Sequence, residues 1–179
     1  MRAPLILSSL LLVALVVLAR PAEANPNRVF AGRIMMSEKR FPTHAKSAAA
    51  YTAAIKKQAK TSFREDKKNQ SWKIHFIGFL KAPLNDIEYV VKIYELGGRQ
   101  QQLLSTFEQF TDERGQKTLT SSVVLQKKQF GVNKELLMTM ESRGGKVLAA
   151  GRFKILGEGE RFTGKVDFSE EEAAGGSEE

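Results

Sequence analysis

Histidine and carboxylate side chains are the residues of this sequence that could perform acid–base or nucleophilic chemistry. The chain of 179 residues contains two histidines, His44 and His75. A Ser/His/Asp triad would need one of these imidazoles, and no G-x-S-x-G nucleophile turn accompanies them. His75 is interpreted as a partly buried or surface histidine of a strand. His44 falls near a helix start, where an imidazolium would oppose the helix dipole. Neither is predicted to be catalytic.

Paired carboxylates could serve a glycan hydrolase, which needs an acid and a base or nucleophile on either side of the scissile bond. Most acidic residues lie in predicted turns or in the C-terminal stretch. Those in predicted strands are expected on solvent faces, namely Glu88, Glu95, Glu108, Glu135 and Glu141. Because no two of them are marked as a site by their spacing, the sequence predicts no catalytic residues and a protein that is not an enzyme. A carboxylate-based hydrolase is the alternative.

The composition also limits the metals and cofactors that the chain could hold. It contains no cysteine, which excludes disulfides, thiol nucleophiles, Cys-ligated zinc and iron–sulfur clusters. Two histidines cannot form a three-His metal site. No Walker loop, dinucleotide fingerprint or calcium loop is present, and no specific nucleic-acid motif is found. The sequence therefore predicts no metal and no cofactor.

One basic cluster is the surface feature that indicates a binding function. It consists of Lys56, Lys57, Lys60, Arg64, Lys67 and Lys68. Clustered positive charge raises the local potential and attracts anions, so these six residues are the candidate anion-binding site. The candidate anions are lipid phosphates, acidic polysaccharide, extracellular nucleic acid or an acidic partner protein. The alternative is the solvated face of a basic protein.

The N-terminus has the pattern of a secretory signal peptide. Met1-Arg2 is a short positive start, Leu5–Leu18 is almost entirely apolar, and Ala22-Glu23-Ala24 is an A-x-A cleavage site. The alternative, a membrane anchor, needs ~20 apolar residues, and this run is shorter. Residues 1–24 are therefore predicted to be removed after Ala24, which gives a periplasmic or secreted protein with no membrane span after cleavage.

Charge is unevenly distributed along the remaining chain. Cleavage takes away two of 28 basic and one of 20 acidic residues, which leaves 26 and 19. Six of those acids lie between Asp167 and Glu179, so residues 25–166 hold 26 basic and 13 acidic residues. Residues 169–179 contain no apolar residue larger than Ala and are predicted to be a disordered acidic tail. A tail that folds back on the basic body is the alternative.

A single helix is predicted between the first two strands, from about residue 44 to residue 63. Its apolar side chains recur three or four residues apart and therefore share one face. They are Ala48, Tyr51, Ile55, Ala59 and Phe63. Thr43 is the predicted N-cap, since its hydroxyl can accept a hydrogen bond from the first turn.

The rest of the chain alternates apolar and polar residues with a period of two, which is typical of strands. Polar turns separate predicted strands at about 28–37, 71–81, 87–96, 101–111, 117–127, 135–142, 147–156 and 162–168. Aromatic residues of these strands, Phe107 and Phe110 among them, are predicted to be core. Arg143-Gly144-Gly145-Lys146 is predicted to form a two-residue hairpin turn.

Seven or eight short strands with one helix favour an all-β fold, an antiparallel β-sandwich spanning residues 25–168 as one domain. The strand spacing is similar to that of immunoglobulin-like sandwich modules of exported proteins. A barrel is the second choice. A parallel α/β sheet is disfavoured, because only one helix is long enough for a crossover.

The leading hypothesis is an exported, non-enzymatic binding or assembly module of the bacterial envelope. Its contact surface would be an edge strand, which can pair with an added strand of another envelope protein, or the basic helix. The alternative is a protein that binds an acidic polymer or an anionic lipid surface through the Lys56–Lys68 cluster.

Overall fold

The computed structural model describes residues 25–98 and 100–158. The predicted signal peptide, the predicted strand at residues 162–168 and the acidic tail lie outside these residues. The helices are α1 (Pro26–Val29), α2 (Ala48–Gln58) and α3 (Lys127–Phe130). The strands are β1 (Arg33–Ser37), β2 (Ser62–Arg64), β3 (Ser71–Leu84), β4 (Glu88–Leu96), β5 (Gln102–Phe110), β6 (Gln116–Gln126), β7 (Lys134–Ser142) and β8 (Val147–Leu156). No helix in this part of the chain is long and apolar enough to cross a membrane.

All eight strands belong to one curled sheet with the order β5-β4-β7-β8-β1-β3-β6, and β2 also pairs with β8. The mostly-β class with one long helix is confirmed. The finer prediction, a two-layer antiparallel sandwich of the immunoglobulin kind, is not established by this sheet. The reason is that β1 and β2 both run parallel to β8, with Arg33 opposite Ala150 and Ser62 opposite Lys154. These pairings make the sheet mixed rather than purely antiparallel.

The inner face of the curled sheet encloses the main hydrophobic core, and α2 covers part of the outer face. On β3, Phe76 points into the main core, whereas Ile77 and Phe79 pack outward with Ile55 of α2. Both faces of β3 are thus buried, and the period-two alternation predicted for this strand is confirmed. The ring centroids of Phe30 and Phe79 lie 5.0 Å apart beside the helix.

Two glycines allow the sheet to curl tightly. A Cβ atom at Gly78 of β3 would overlap the side chain of Met140, which belongs to β7 on the opposite wall. A Cβ atom at Gly151 would lie 2.5 Å from the carbonyl oxygen of Ile34. Any side chain at residue 151 would therefore prevent β8 from lying this close to β1.

The helix is shorter than predicted, and its N-cap is Ser47 rather than Thr43. The Ser47 hydroxyl accepts a hydrogen bond from the backbone N–H of Ala50 at 3.1 Å. At the other end Ala59 is extended, with ψ of 137°. Phe63 does not lie on the helix: it belongs to β2 and is 1% exposed in the main core. Pairing of β2 with β8 therefore outweighs the helical spacing of the sequence.

Three smaller predictions are also corrected. The predicted first strand at 28–37 divides into α1 and β1, because Asn25 caps a short helix through a hydrogen bond to the N–H of Asn27 at 2.9 Å. The hairpin turn after β7 spans four residues, and of its glycines only Gly145 has positive φ. Phe110 is 68% exposed rather than core, since it ends β5 on the outer face opposite Glu88.

Candidate anion-binding groove

A groove of about 350 Å³ lies on the outer face of β3 and β6, beside the loop between β1 and α2. We call this feature the outer groove. Its polar lining residues are Arg40, Thr43, His75, Thr120, Ser121 and Ser122, and its aromatic lining residues are Phe41 and Phe76.

Strand pairing fixes the position of the His75 imidazole in the outer groove. His75 is opposite Ser37 of β1 on one side and opposite Ser122 of β6 on the other. Its neighbours Ile74 and Phe76 point into the main core, so the imidazole must point outward. The hydroxyl of Ser122 shares that face, because directly opposed residues of an antiparallel pair project to the same side.

The loop that forms the other wall is held by one glutamine of α2. The Gln58 side-chain amide donates hydrogen bonds to the carbonyl oxygens of Lys39 at 2.8 Å and Arg40 at 2.7 Å. It also lies 3.2 Å from the Ser37 hydroxyl oxygen. Phe41 packs against the cluster beneath α2. The helix therefore positions the loop residues of the outer groove.

The electrostatics of the outer groove favour a bound anion. Partial burial lowers the pKa of His75, and the nearby charges of Lys73 and Arg40 lower it further. At neutral pH the imidazole is therefore uncharged and offers one N–H donor and one acceptor. Arg40 adds a planar guanidinium that can bind a carboxylate, phosphate or sulfate through two parallel hydrogen bonds. The hydroxyls of Thr120 and Ser122 are further donors.

The six residues of the predicted basic cluster do not share one helix and loop, as the sequence suggested. Lys56 and Lys57 lie in the last turn of α2, where cations interact favourably with the helix dipole. Lys60 follows the end of the helix, and its ammonium forms an ion pair with Glu38 at 2.6 Å. The helix ends before Lys60, so the run of like charges at i, i+4 spacing is interrupted.

The other three cluster residues lie around the start of β3. Arg64 belongs to β2, and Lys67 and Lys68 lie in the turn that follows. The ammonium of Lys67 pairs with Glu158 at 2.6 Å, which raises the pKa of Lys67 and lowers that of Glu158. Within residues 25–98 and 100–158, no ion pair occupies the four remaining cations of the cluster, which are Lys56, Lys57, Arg64 and Lys68.

Glu141 is the carboxylate whose position differs most from the prediction. It was expected to face solvent, but it is 5% exposed on the outer face of β7. Its carboxylate accepts hydrogen bonds from the Lys92 ammonium at 2.6 Å and the Thr139 hydroxyl at 2.9 Å. Hydrogen bonding to Glu141 raises the pKa of Lys92. Among the described residues its side-chain partners are a lysine, a threonine and a tyrosine, so Glu141 is a satisfied buried ion-pair partner.

The sequence analysis weighed His75 only as a catalytic residue and rejected it, and it assigned no binding role to the other residues of the outer groove. Alternation could have placed Thr120 and Ser122 together on one face of β6. The pairing of β3 with β6 joins strands that lie about 45 residues apart in sequence. No local sequence pattern predicts such a pairing. No group of three or more His, Asp or Glu side chains that could hold a metal occurs in the described part of the chain.

Comparison with known proteins gives little similarity. No protein-family model matches the chain, and no curated protein matches it. Among solved structures, it is similar to the neutron crystallographic structure of a Jonesia denitrificans lytic polysaccharide monooxygenase. The TM-score is 0.32 at 14% identity, over 65% of this chain and 75% of that chain.

This similarity contradicts the prediction that the protein is not an enzyme, because the matched structure is an enzyme. That prediction is therefore withdrawn. A TM-score of 0.32 does not establish an enzyme, so no activity and no substrate are inferred from the match.

Proposed function

We propose that the protein is an exported binding module of the bacterial envelope that holds an anionic polymer or anionic surface on its basic outer face. The main support is the outer groove, in which Arg40 and a neutral His75 lie beside three hydroxyl-bearing residues of β6. Each of these groups can donate a hydrogen bond, and none of the described residues that line the groove is acidic. A phosphate, sulfate or carboxylate group is the chemistry that this lining would accept.

The positions of the unpaired cations favour an extended anion over a small one. Lys56 and Lys57 directly precede Gln58, whose side chain holds the backbone of Arg40. Positive charge therefore continues from the outer groove to the end of α2. A polymer or a membrane surface can contact both places together, whereas a single small anion would fill only the groove.

Salt-dependent binding to heparin and to anionic vesicles tests the proposal. Each phosphate-like contact that is lost should reduce the slope of log K against log salt by about one. The test variant is Arg40/Lys56/Lys57→Gln. The control is Arg114/Lys117/Lys146→Gln, which removes the same charge from three exposed residues in turns and at the start of β6.

We expect the test variant to lose most of the salt-dependent affinity and the control to retain it. Equal losses in both variants would show that net charge alone attracts the polyanion, which would contradict a defined site. Comparison of heparin with vesicles containing anionic lipid separates an acidic polymer from a membrane surface as the partner. Lys60→Gln should have a smaller effect than Lys56→Gln, because Lys60 is already paired with Glu38.

A second candidate function, strand addition to another envelope protein, is favoured by one observation. The sheet ends in two strands, β5 and β6, that each have one edge without a strand partner among the described residues. Unpaired edges offer N–H and C=O groups to an added strand. Ser122→Pro should block a partner that pairs with β6, whereas Ser122→Ala should not. Co-purification that is unaffected by the proline would exclude pairing at this edge.

Export is part of the proposal and can be tested separately. The sequence of residues 1–24 supports removal after Ala24. N-terminal sequencing of the protein from the envelope fraction should begin at Asn25. A chain that retains Met1, or one found only in the cytoplasmic fraction, would contradict export.

A further inference from the structure

Lys73 is an exposed cation beside the outer groove, and it was not part of the predicted basic cluster. It lies on β3, two residues before His75. Its neighbours Trp72 and Ile74 are in the main core, so the Lys73 side chain points to the outer face, as the His75 imidazole does. Residues at this spacing on one face of a strand are ~7 Å apart. The charge of Lys73 helps to lower the pKa of His75, which agrees with a position next to the groove.

Arg64 of the basic cluster lies at the same level of the sheet as Lys73. An antiparallel bridge joins Asp66 to Ser71. Arg64 and Lys73 each lie two residues from this bridge, on the two segments that it joins. Phe63 is in the main core, so the Arg64 side chain also points to the outer face. The two cations are therefore side by side next to the outer groove.

Neither cation is neutralised by a neighbouring carboxylate. Lys73 and Arg64 form no ion pair in the part of the chain that the structure describes. The two acidic residues that follow Arg64 already have partners: Glu65 pairs with Lys127 at 3.1 Å, and the Asp66 carboxylate accepts two hydrogen bonds within its own turn. Adjacent like charges destabilise a sheet, and an anion bound between them would relieve the repulsion.

The surface around the two cations fits a polysaccharide better than a membrane. Binding to a membrane surface buries large apolar side chains. Among the described residues of β3 and β6, Val124 is the only large apolar residue that is exposed, and α2 contributes none. The basic part of the outer face therefore lacks the apolar area that would hold it on a lipid surface.

Single-stranded nucleic acid also fits this surface less well. Its bases stack on aromatic side chains, and of the two aromatic residues that line the outer groove Phe76 is only 1% exposed. The groove is instead lined by hydroxyl groups, among them those of Thr120 and Ser122. A hydroxyl can donate and accept a hydrogen bond, so this lining is complementary to the hydroxyl groups of a sugar.

We propose that Lys73 and Arg64 form a second anion subsite beside the outer groove, and that the two sites hold successive acidic units of one polysaccharide chain. This subsite rests on the proposed function, because it extends the outer groove and names the class of polymer that binds there. One acidic unit lies at Arg40, and the next lies between Lys73 and Arg64. A guanidinium and an ammonium together suit either a carboxylate or a sulfate group.

Heparin binding by Lys73→Gln tests the second subsite. The affinity should fall, and the slope of log K against log salt should decrease by about one. The matched control is Lys81→Gln, because Lys81 is an exposed lysine of the same strand, eight residues away and beyond the residues that α2 covers. The control should leave the affinity and the slope unchanged. Arg64→Gln should have the same effect as Lys73→Gln, since both residues contact the same acidic unit.

Urea unfolding of the same variants separates binding from a structural role. Removal of one of two adjacent like charges should leave the urea midpoint unchanged or raise it. A lower midpoint in Lys73→Gln and Arg64→Gln than in Lys81→Gln would attribute the loss of affinity to the fold, and it would overturn the subsite.

Three further results would overturn the proposal. Equal slopes for Lys73→Gln and Lys81→Gln would exclude the second subsite, and a loss of binding in Arg40/Lys56/Lys57→Gln would then leave the proposed function standing. Oligo(dT) that binds as tightly as heparin, with the same dependence on Lys73, would identify a nucleic acid as the partner. Binding to anionic vesicles but not to heparin would identify a membrane surface. A protein that binds none of these probes would contradict both the subsite and the proposed function.

Discussion

The region around β3 and the region around β5 differ in how the sheet is covered. β3 has the main core on one face and α2 on the other, and Phe79 beneath the helix is 0% exposed. β5 has core on one face only: Phe107 is partly buried, and Phe110 is 68% exposed. One helix of eleven residues makes this difference. The comparison indicates that stability is concentrated in the β1–β3 region, whereas β5 and β6 are available for pairing.

Phe79→Ala should give the largest effect, because it removes a fully buried ring on which α2 rests. The free energy of unfolding should fall by about 3–5 kcal/mol, as for other buried Phe→Ala changes. Urea unfolding followed by circular dichroism measures it. The matched control is Phe110→Ala, for which a change within about 0.5 kcal/mol is expected. Similar losses in the two variants would contradict the difference between the regions.

Glu141→Ala should have the next largest effect. It leaves the buried Thr139 hydroxyl and the Lys92 ammonium without their acceptor. An unsatisfied buried polar group costs about 1–3 kcal/mol, which chemical unfolding can resolve. Glu158→Ala provides the comparison, because its ion pair with Lys67 is exposed and such pairs contribute little. If Glu158→Ala destabilised the protein as much as Glu141→Ala, burial would not determine the strength of these pairs.

Gln58→Ala should have a smaller effect on stability and a specific effect on binding. Two hydrogen bonds to the loop carbonyl oxygens are lost, at a cost of about 0.5–1.5 kcal/mol. The loop that contains Arg40 is then no longer held against α2, so heparin affinity should fall without any change in charge. Gln58→Glu is unsuitable as a control because it adds charge; Gln129→Ala, on the exposed side of α3, serves instead.

Removal of His75 should have the smallest effect, and it depends on pH. The folded protein has a lowered His75 pKa, so below ~6.5 the unfolded chain binds a proton more readily at this residue. The stability contributed at neutral pH is therefore lost as the pH falls through that range. In His75→Gln the fall in unfolding free energy that comes from this histidine should be absent. Unfolding free energies measured from pH 7.5 to pH 5 test it, and parallel curves for the two proteins would contradict the lowered pKa.

Local patterns in the sequence predicted much of the fold. The alternation of Trp72, Ile74 and Phe76 predicted the inner face of β3, and the positions of most other strands were predicted within a few residues. Period-two packing on a buried face is a strong local signal because each side chain must enter or leave the core.

Long-range pairing could not be predicted in the same way. The spacing that placed Phe63 on a helix was outweighed by the pairing of β2 with β8, about 90 residues later. The parallel arrangement of β1 and β2 beside β8 has no local signature either, so a two-layer sandwich was expected where the structure has one curled sheet. Tertiary contacts determine such features.

The candidate site was predictable only in part. Basic residues were recognised, but their ion pairs were not: Glu38 neutralises Lys60, and Glu158 neutralises Lys67. Arg40 enters the outer groove because Gln58 holds its backbone. That contact joins residues 18 positions apart in sequence, and no sequence motif predicts it.

The most direct test of the central claim, that the outer groove binds anions, is an NMR titration of the His75 imidazole with and without a heparin oligosaccharide. His44→Gln assigns the signals of the two histidines. A bound anion stabilises the imidazolium, so the pKa of His75 should rise from its lowered value when the oligosaccharide is present. Binding of the oligosaccharide with no change in the His75 pKa would contradict the claim.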